Sequence, residues 1–225
     1  MEKKLEIACF NLESALIAQE NGADRIELCN GIKVGGTTPT VAIIENAKQN
    51  VSVDLYVMIR PRGGNFVYSD EEFQLMKQDI LKIKTIGVTG FVFGILTNNN
   101  TIDIEKNKEL IDLAEPIPCT FHRAFDAVEN YKKALENVIE CGFSTVLTSG
   151  TFSNVMEGKN VLRELVIQAK DRIIIMPGGG LRSTNISELD ELVNANFYHS
   201  SAIIDGSEIA NSEEIIQLKK KLTLS

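Results

Sequence analysis

Short runs rich in β-branched and aromatic residues alternate along this chain with longer stretches whose apolar residues recur every three to four positions. The short runs predict strands at Leu5–Cys9, Arg25–Cys29, Leu55–Arg60, Phe91–Leu96, Cys119–Arg123, Thr145–Ser149, Ile173–Met176 and Phe197–Ser201. The stretches between them carry helix signals. Ser69 and Glu72 form a capping box ahead of Phe73, Met76, Ile80 and Ile83. Asn185 and Glu188 open a second helix with Ile186, Leu189, Leu192 and Val193. Tyr131, Leu135, Val138 and Ile139 mark a third. Three glycines each stand four residues before an apolar strand residue: Gly22 before Ile26, Gly87 before Phe91 and Gly142 before Val146. Glycine enters the left-handed region without a Cβ clash, so each marks a helix C-terminus turning back to a strand.

Eight βα units in series demand parallel strands joined by right-handed crossovers. An open doubly wound sheet and a closed barrel both meet that demand. The open sheet carries a glycine-rich loop after its first strand, whereas here the turn reads Phe10-Asn11-Leu12. The expectation is therefore an α/β chain folded as one (β/α)8 TIM barrel over residues 1–225, with no nucleotide cofactor. Composition sharpens this only by exclusion. A net charge of −8, spread along the helices, disfavours nucleic acid and anionic lipid as partners. No apolar run approaches a membrane span or a signal peptide. The four cysteines show no CxxC spacing, which points to a reducing, cytoplasmic setting.

In such a barrel the chemistry sits on the loops that follow the strands. Those loops are long here and rich in Gly, Arg, Thr and Asn. Glu27, Cys29, Arg60 and His122 fall where strand alternation allows one polar cluster at the mouth. The expected roles are proton transfer for Glu27, His122 and Asp126, and stabilisation of negative charge for Arg60. Gly178, Gly179 and Gly180 follow the seventh strand, where backbone amides hold phosphate in many barrels. Arg62 and Arg182 would add charge there, with Arg123, Ser149 and His199 as further ligand contacts. The competing reading of Glu6, Glu27, Arg60 and Arg123 is an internal salt-bridge network that closes the barrel. Cys29 is the one cysteine at a strand's mouth end. Cys9, Cys119 and Cys141 read as buried core thiols.

Six segments carry a family resemblance: Arg25-Ile26-Glu27-Leu28-Cys29, Gly35-Gly36-Thr37-Thr38-Pro39, Ile59-Arg60-Pro61-Arg62-Gly63-Gly64-Asn65-Phe66-Val67-Tyr68-Ser69, Thr120-Phe121-His122-Arg123-Ala124-Phe125-Asp126, Leu147-Thr148-Ser149-Gly150 and His199-Ser200-Ser201-Ala202. In this order, and over nearly the whole chain, they resemble the CutC family of copper-homeostasis proteins. The resemblance implies a cytoplasmic barrel, a homodimer, and a link to copper handling, with Cys29 the candidate ligand for Cu(I) and His122 a second contact. The family often has a cysteine where this chain has Ala8, with Cys9 one position later, and a one-residue shift aims a strand side chain at the opposite face. Beside a Cu(I)-handling protein, the residues admit a barrel enzyme acting on a small anionic or phosphorylated metabolite, and a ligand-binding barrel without turnover.

Overall fold

The computed structural model describes residues 3–223. Eight strands alternate with eight helices: β1 (Lys4–Cys9), α1 (Leu12–Glu20), β2 (Arg25–Leu28), α2 (Val41–Asn50), β3 (Asp54–Met58), α3 (Asp70–Lys84), β4 (Gly90–Phe93), α4 (Ile104–Ala114), β5 (Cys119–Phe121), α5 (Tyr131–Cys141), β6 (Thr145–Thr148), α6 (Lys159–Ala169), β7 (Ile174–Pro177), α7 (Ile186–Val193), β8 (Phe197–Ser200) and α8 (Ser212–Thr223). From β1 to β7 each strand pairs in parallel with the next, and β1 also pairs with β8. The ring is nearly closed. Between β7 and β8 there is a single parallel bridge, from Gly178 to His199, instead of a ladder. Glycine is required there because a Cβ on Gly178 would stand 2.5 Å from Leu147 Cδ1 and 3.0 Å from the His199 ring.

Several local expectations hold. Ser69 and Glu72 form the reciprocal capping box that opens α3. Gly22, Gly87 and Gly142 take φ of +100°, +83° and +94° at the ends of α1, α3 and α5. Asn185 does precede α7, but it caps no helical N–H. Its Oδ1 accepts the Arg182 N–H and its Nδ2 donates to the Gly180 carbonyl, both at 2.9 Å, so it braces its own loop. Strands β2 to β5 end earlier than the sequence pattern suggests. The backbone at the mouth is captured by loops instead: the Arg60 N–H goes to Thr38 Oγ1 at 2.9 Å. After β5 the chain turns at once into a short 3-10 segment, Arg123–Ala127, which His122 caps.

Alternation along each strand divides the buried residues into two layers. Leu5, Ile7, Cys9, Ile26, Leu28, Val57 and Cys119 join the core between sheet and helices. Glu6, Arg25, Glu27, Tyr56 and His199 interact with one another inside the barrel. All four cysteines are buried and free, and Cys9, Cys119 and Cys141 are core thiols as expected. No helix among the described residues is long and apolar enough to cross a membrane.

Candidate functional site at the barrel mouth

The interior of the barrel is unusually charged at its floor. Glu6, completely buried, forms an ion pair with Arg25 and a 2.7 Å hydrogen bond with His199 Nδ1. The Arg25 guanidinium lies between the Tyr56 and Phe197 rings, 4.1 Å from each centroid. Stacking of this kind suits the weakly hydrated, planar guanidinium and lowers the cost of its burial. Burial alone would raise the Glu6 carboxyl, but Arg25 and His199 outweigh it and hold Glu6 ionised. Burial likewise opposes a charged His199, and the bond to Glu6 with the charges of Glu27 and Glu6 reverses that, raising its pKa. The salt-bridge reading is thus right for Glu6, with Arg25 as the partner that sequence reasoning missed. Arg25 lies opposite Glu6 in the β1–β2 register, a pairing visible only once the strands are aligned.

Above this floor a cavity of about 210 Å³ opens at the C-terminal ends of the strands. Glu27, Cys29, Arg60 and His122 all line it, so the predicted polar cluster is assembled. Arg123, Gly179, Gly180 and His199 line it as well. Ala8 faces the same space, while Cys9 points into the outer core, as the one-residue shift requires. Met58 and Phe66 are cavity residues that the sequence reading passed over. Met58 stands two positions before Arg60 and shares its face, so alternation was a usable signal.

Three cavity residues carry a buried polar atom without a partner among the described residues: Glu27 Oε1, His122 Nε2 and Arg60 Nε. Glu27 Oε2 accepts the Cys29 thiol at 3.5 Å. Burial pushes the Glu27 carboxyl up to about 7, against the pull of the His199 cation. Burial and the Arg60 charge push His122 down to about 3, so the ring is neutral. Its Nδ1 accepts the Ala124 N–H at 3.3 Å, which leaves the ring proton on Nε2 as an unused donor. Burial and the Glu27 carboxylate keep Cys29 a thiol well above its ordinary range.

The other arginines and Asp126 have parts the sequence did not anticipate. Arg60 donates to the carbonyls of Val34, Gly36 and Gly64 at 2.8–2.9 Å and ties two mouth loops together. Arg62 is not brought to the cavity. It is committed to Glu72 at 2.5 Å and to loop carbonyls, which corrects its expected role as anion anchor. Asp126 lies behind the wall. It accepts from Ser149 and Thr151 amides, from Thr148 and Ser149 hydroxyls, and from Arg123 Nε at 2.7 Å. A carboxylate so fully engaged has no lone pair left for a substrate proton, so the proton-transfer role is not supported for it. Ser149 and Gly178 also sit behind the cavity surface.

For a soft metal the usable donors are sulfur. Cys29 and Met58 pack in one small cluster with Tyr56 and Val92. A Cβ on Gly36 would touch both, at 3.3 Å from Cys29 Sγ and 3.6 Å from Met58 Cε. Among the described residues no group of three or more His, Cys, Asp or Glu is gathered to hold a metal ion. Cys29 and Met58 bring soft donors to one side of the cavity.

Comparison with known proteins agrees with this architecture. A model described as CutC family matches residues 3–204. The Homo sapiens protein named copper homeostasis protein cutC homolog is 46% identical over 198 residues, spanning 88% of this chain and 72% of that protein. A family protein CutC of Salmonella schwarzengrund is 42% identical over 199 residues, 88% of this chain and 79% of that one. Among solved structures, a CutC protein of Streptococcus agalactiae superposes with a TM-score of 0.84 at 34% identity, over 88% of this chain and 98% of its own. Phosphoribosylanthranilate isomerase of Thermotoga maritima reaches a TM-score of 0.67 at 17% identity, over 99% and 100% of the two chains, a likeness of fold alone.

Proposed function

The chain belongs to the CutC family, and from that premise we propose that it takes part in copper homeostasis, meeting Cu(I) at the barrel mouth through Cys29. The observation that carries the reading is the Cys29 thiol on the cavity surface beside the Met58 thioether. Cu(I) prefers such soft ligands. Metal here is cargo, and thiolate coordination releases the thiol proton. The reading extends to a homodimer and to a cytoplasmic location, the latter consistent with four free, buried cysteines. Titration of Cu(I) against a competing chelator tests it on wild type and Cys29→Ser. Stoichiometric binding weakened tenfold or more by the substitution is expected. Absence of Cu(I) binding sinks the metal role, and binding unchanged in Cys29→Ser removes Cys29 from it.

A second reading is favoured by a specific observation: Glu27 and His122 both line the cavity, and each carries a buried polar atom without a partner among the described residues. Buried polar groups are normally satisfied, so orphans lining a cavity suit an organic ligand. On this reading the barrel acts on a small anionic or phosphorylated metabolite, with Glu27 able to gain or lose a proton near neutrality. A thermal-shift screen of phosphates, sugars and carboxylates tests it. A ligand at a hundredfold its Kd stabilises by about 2.7 kcal/mol. A binder whose turnover is lost in His122→Ala marks an enzyme, a binder without turnover marks a carrier, and silence across the screen rejects the reading.

A further inference from the structure

We propose that the β5–β7 side of the mouth is a built oxyanion subsite, with Arg123 as the ligand contact and Asp126 as its positioning residue, and that its ligand is a small hydroxylated organic acid or the corresponding phosphate. The inference rests on the metabolite reading of the cavity and names its ligand class.

Arg123 lines the cavity with a donor to spare. Its Nε is fixed by Asp126 at 2.7 Å and its Nη2 by Ser149 Oγ at 2.9 Å, whereas Nη1 has no partner among the described residues. The guanidinium lies against Gly179, where a Cβ would stand 3.0 Å from Cζ and 3.1 Å from Nη1. Gly179, at φ +110°, has no Cβ and so lets the guanidinium lie against its backbone. Asp126 is itself anchored by the Thr148, Ser149 and Thr151 donors, so the orientation of Arg123 is set before any ligand arrives. A guanidinium held in this way matches a carboxylate or phosphate at little ordering cost.

The other wall supplies the independent observation. His122 Nε2 is an unused donor on a ring 4% exposed, and Glu27 Oε1 is unused on a side chain 3% exposed. A hydroxyl group has the chemistry to answer both, since it can accept from His122 and donate to Glu27. An oxyanion on Arg123 and a hydroxyl between Glu27 and His122 describe a hydroxy acid, or a phosphate ester that keeps a free hydroxyl.

Calorimetric titration with glycolate, acetate and inorganic phosphate, on wild type, Arg123→Lys, Asp126→Asn and the double variant, tests this directly. Wild type is expected to bind glycolate saturably and at least tenfold more tightly than acetate, which lacks the hydroxyl. Arg123→Lys keeps the charge but loses the planar fork, and is expected to weaken binding tenfold or more. Asp126→Asn is expected to weaken wild type likewise but to add nothing in the Arg123→Lys background, a non-additivity that a merely structural role would not give. Saturable phosphate binding with the same dependence assigns the phosphate form. Arg123 is two-fifths exposed, so Arg123→Lys is expected to fold even where Asp126→Asn does not. Binding of none of the three probes, equal binding by Arg123→Lys, or glycolate no tighter than acetate overturns the proposal. The Cu(I) titration of Cys29 reads a different ligand, so either reading can fail alone.

Discussion

Glu27→Gln offers the most demanding test of the electrostatics at the mouth. In the folded chain the Glu27 carboxyl is raised from 4.5 to about 7 because it is buried, with one oxygen unpartnered. The folded state therefore holds this proton more tightly than the unfolded state does. Below pH 4.5 both states are protonated and Glu27 costs nothing. As pH rises from 4.5 to 7 the unfolded chain ionises first, and stability falls; above 7 the loss is complete. At about 1.4 kcal/mol per pH unit, the full cost is about 3 kcal/mol. Glutamine keeps a carbonyl oxygen for the Cys29 thiol and removes the titration. Its NH2 group brings two donors to a position without a partner among the described residues, a cost of roughly 1–3 kcal/mol for an unsatisfied buried group that is the same at every pH. The robust quantity is thus the change with pH. Relative to wild type, Glu27→Gln is expected to gain about 3 kcal/mol between pH 4 and pH 8.5, read from urea unfolding at each pH. For a chain of this length that corresponds to roughly ten degrees of Tm. A stability difference that stays flat over this range, or moves the other way, would show Glu27 ionised and paired in the fold and refute the reasoning.

Three further outcomes follow from other parts of the barrel. Glu6→Gln leaves Arg25 and His199 as buried charges without their carboxylate, and is expected to cost about 3–5 kcal/mol in urea unfolding; a loss under 1 kcal/mol would show the network to be dispensable. Gly178→Ala forces a Cβ to within 2.5 Å of Leu147 at the β7–β8 seam, and is expected to cost about 1–3 kcal/mol by the same assay. The chain has only two histidines, so ring 15N spectra read them separately. His122 is expected to stay neutral with its proton on Nε2 from pH 5 to 8, and His199 to stay doubly protonated to a pH above its ordinary 6.5. An ordinary titration of His122 near 6.5 would contradict its burial beside Arg60.

The sequence by itself determined the order and number of the strands, the glycine turns after α1, α3 and α5, and the capping box of α3. These rest on local physics: period-two and period-3.6 patterns, the absence of a Cβ, and side chains that reach only their own neighbours. It also aimed Cys9 and Cys119 away from the mouth and Glu27, Cys29 and His122 toward it, because alternation within a strand is local too. What only the tertiary structure decided is which groups meet across strands and loops. Arg62 and Arg123 look equivalent in the sequence, yet Arg62 is drawn off to Glu72 on α3 while Arg123 is turned to the cavity by Asp126. Arg60 spends its charge on three carbonyls from two loops. Glu6 finds Arg25 one strand away and His199 on the far side, where the ring closes. Those partnerships depend on register and loop path, which are set by packing between residues far apart in the chain. They decide which charges are neutralised as scaffold and which keep a donor on the cavity side.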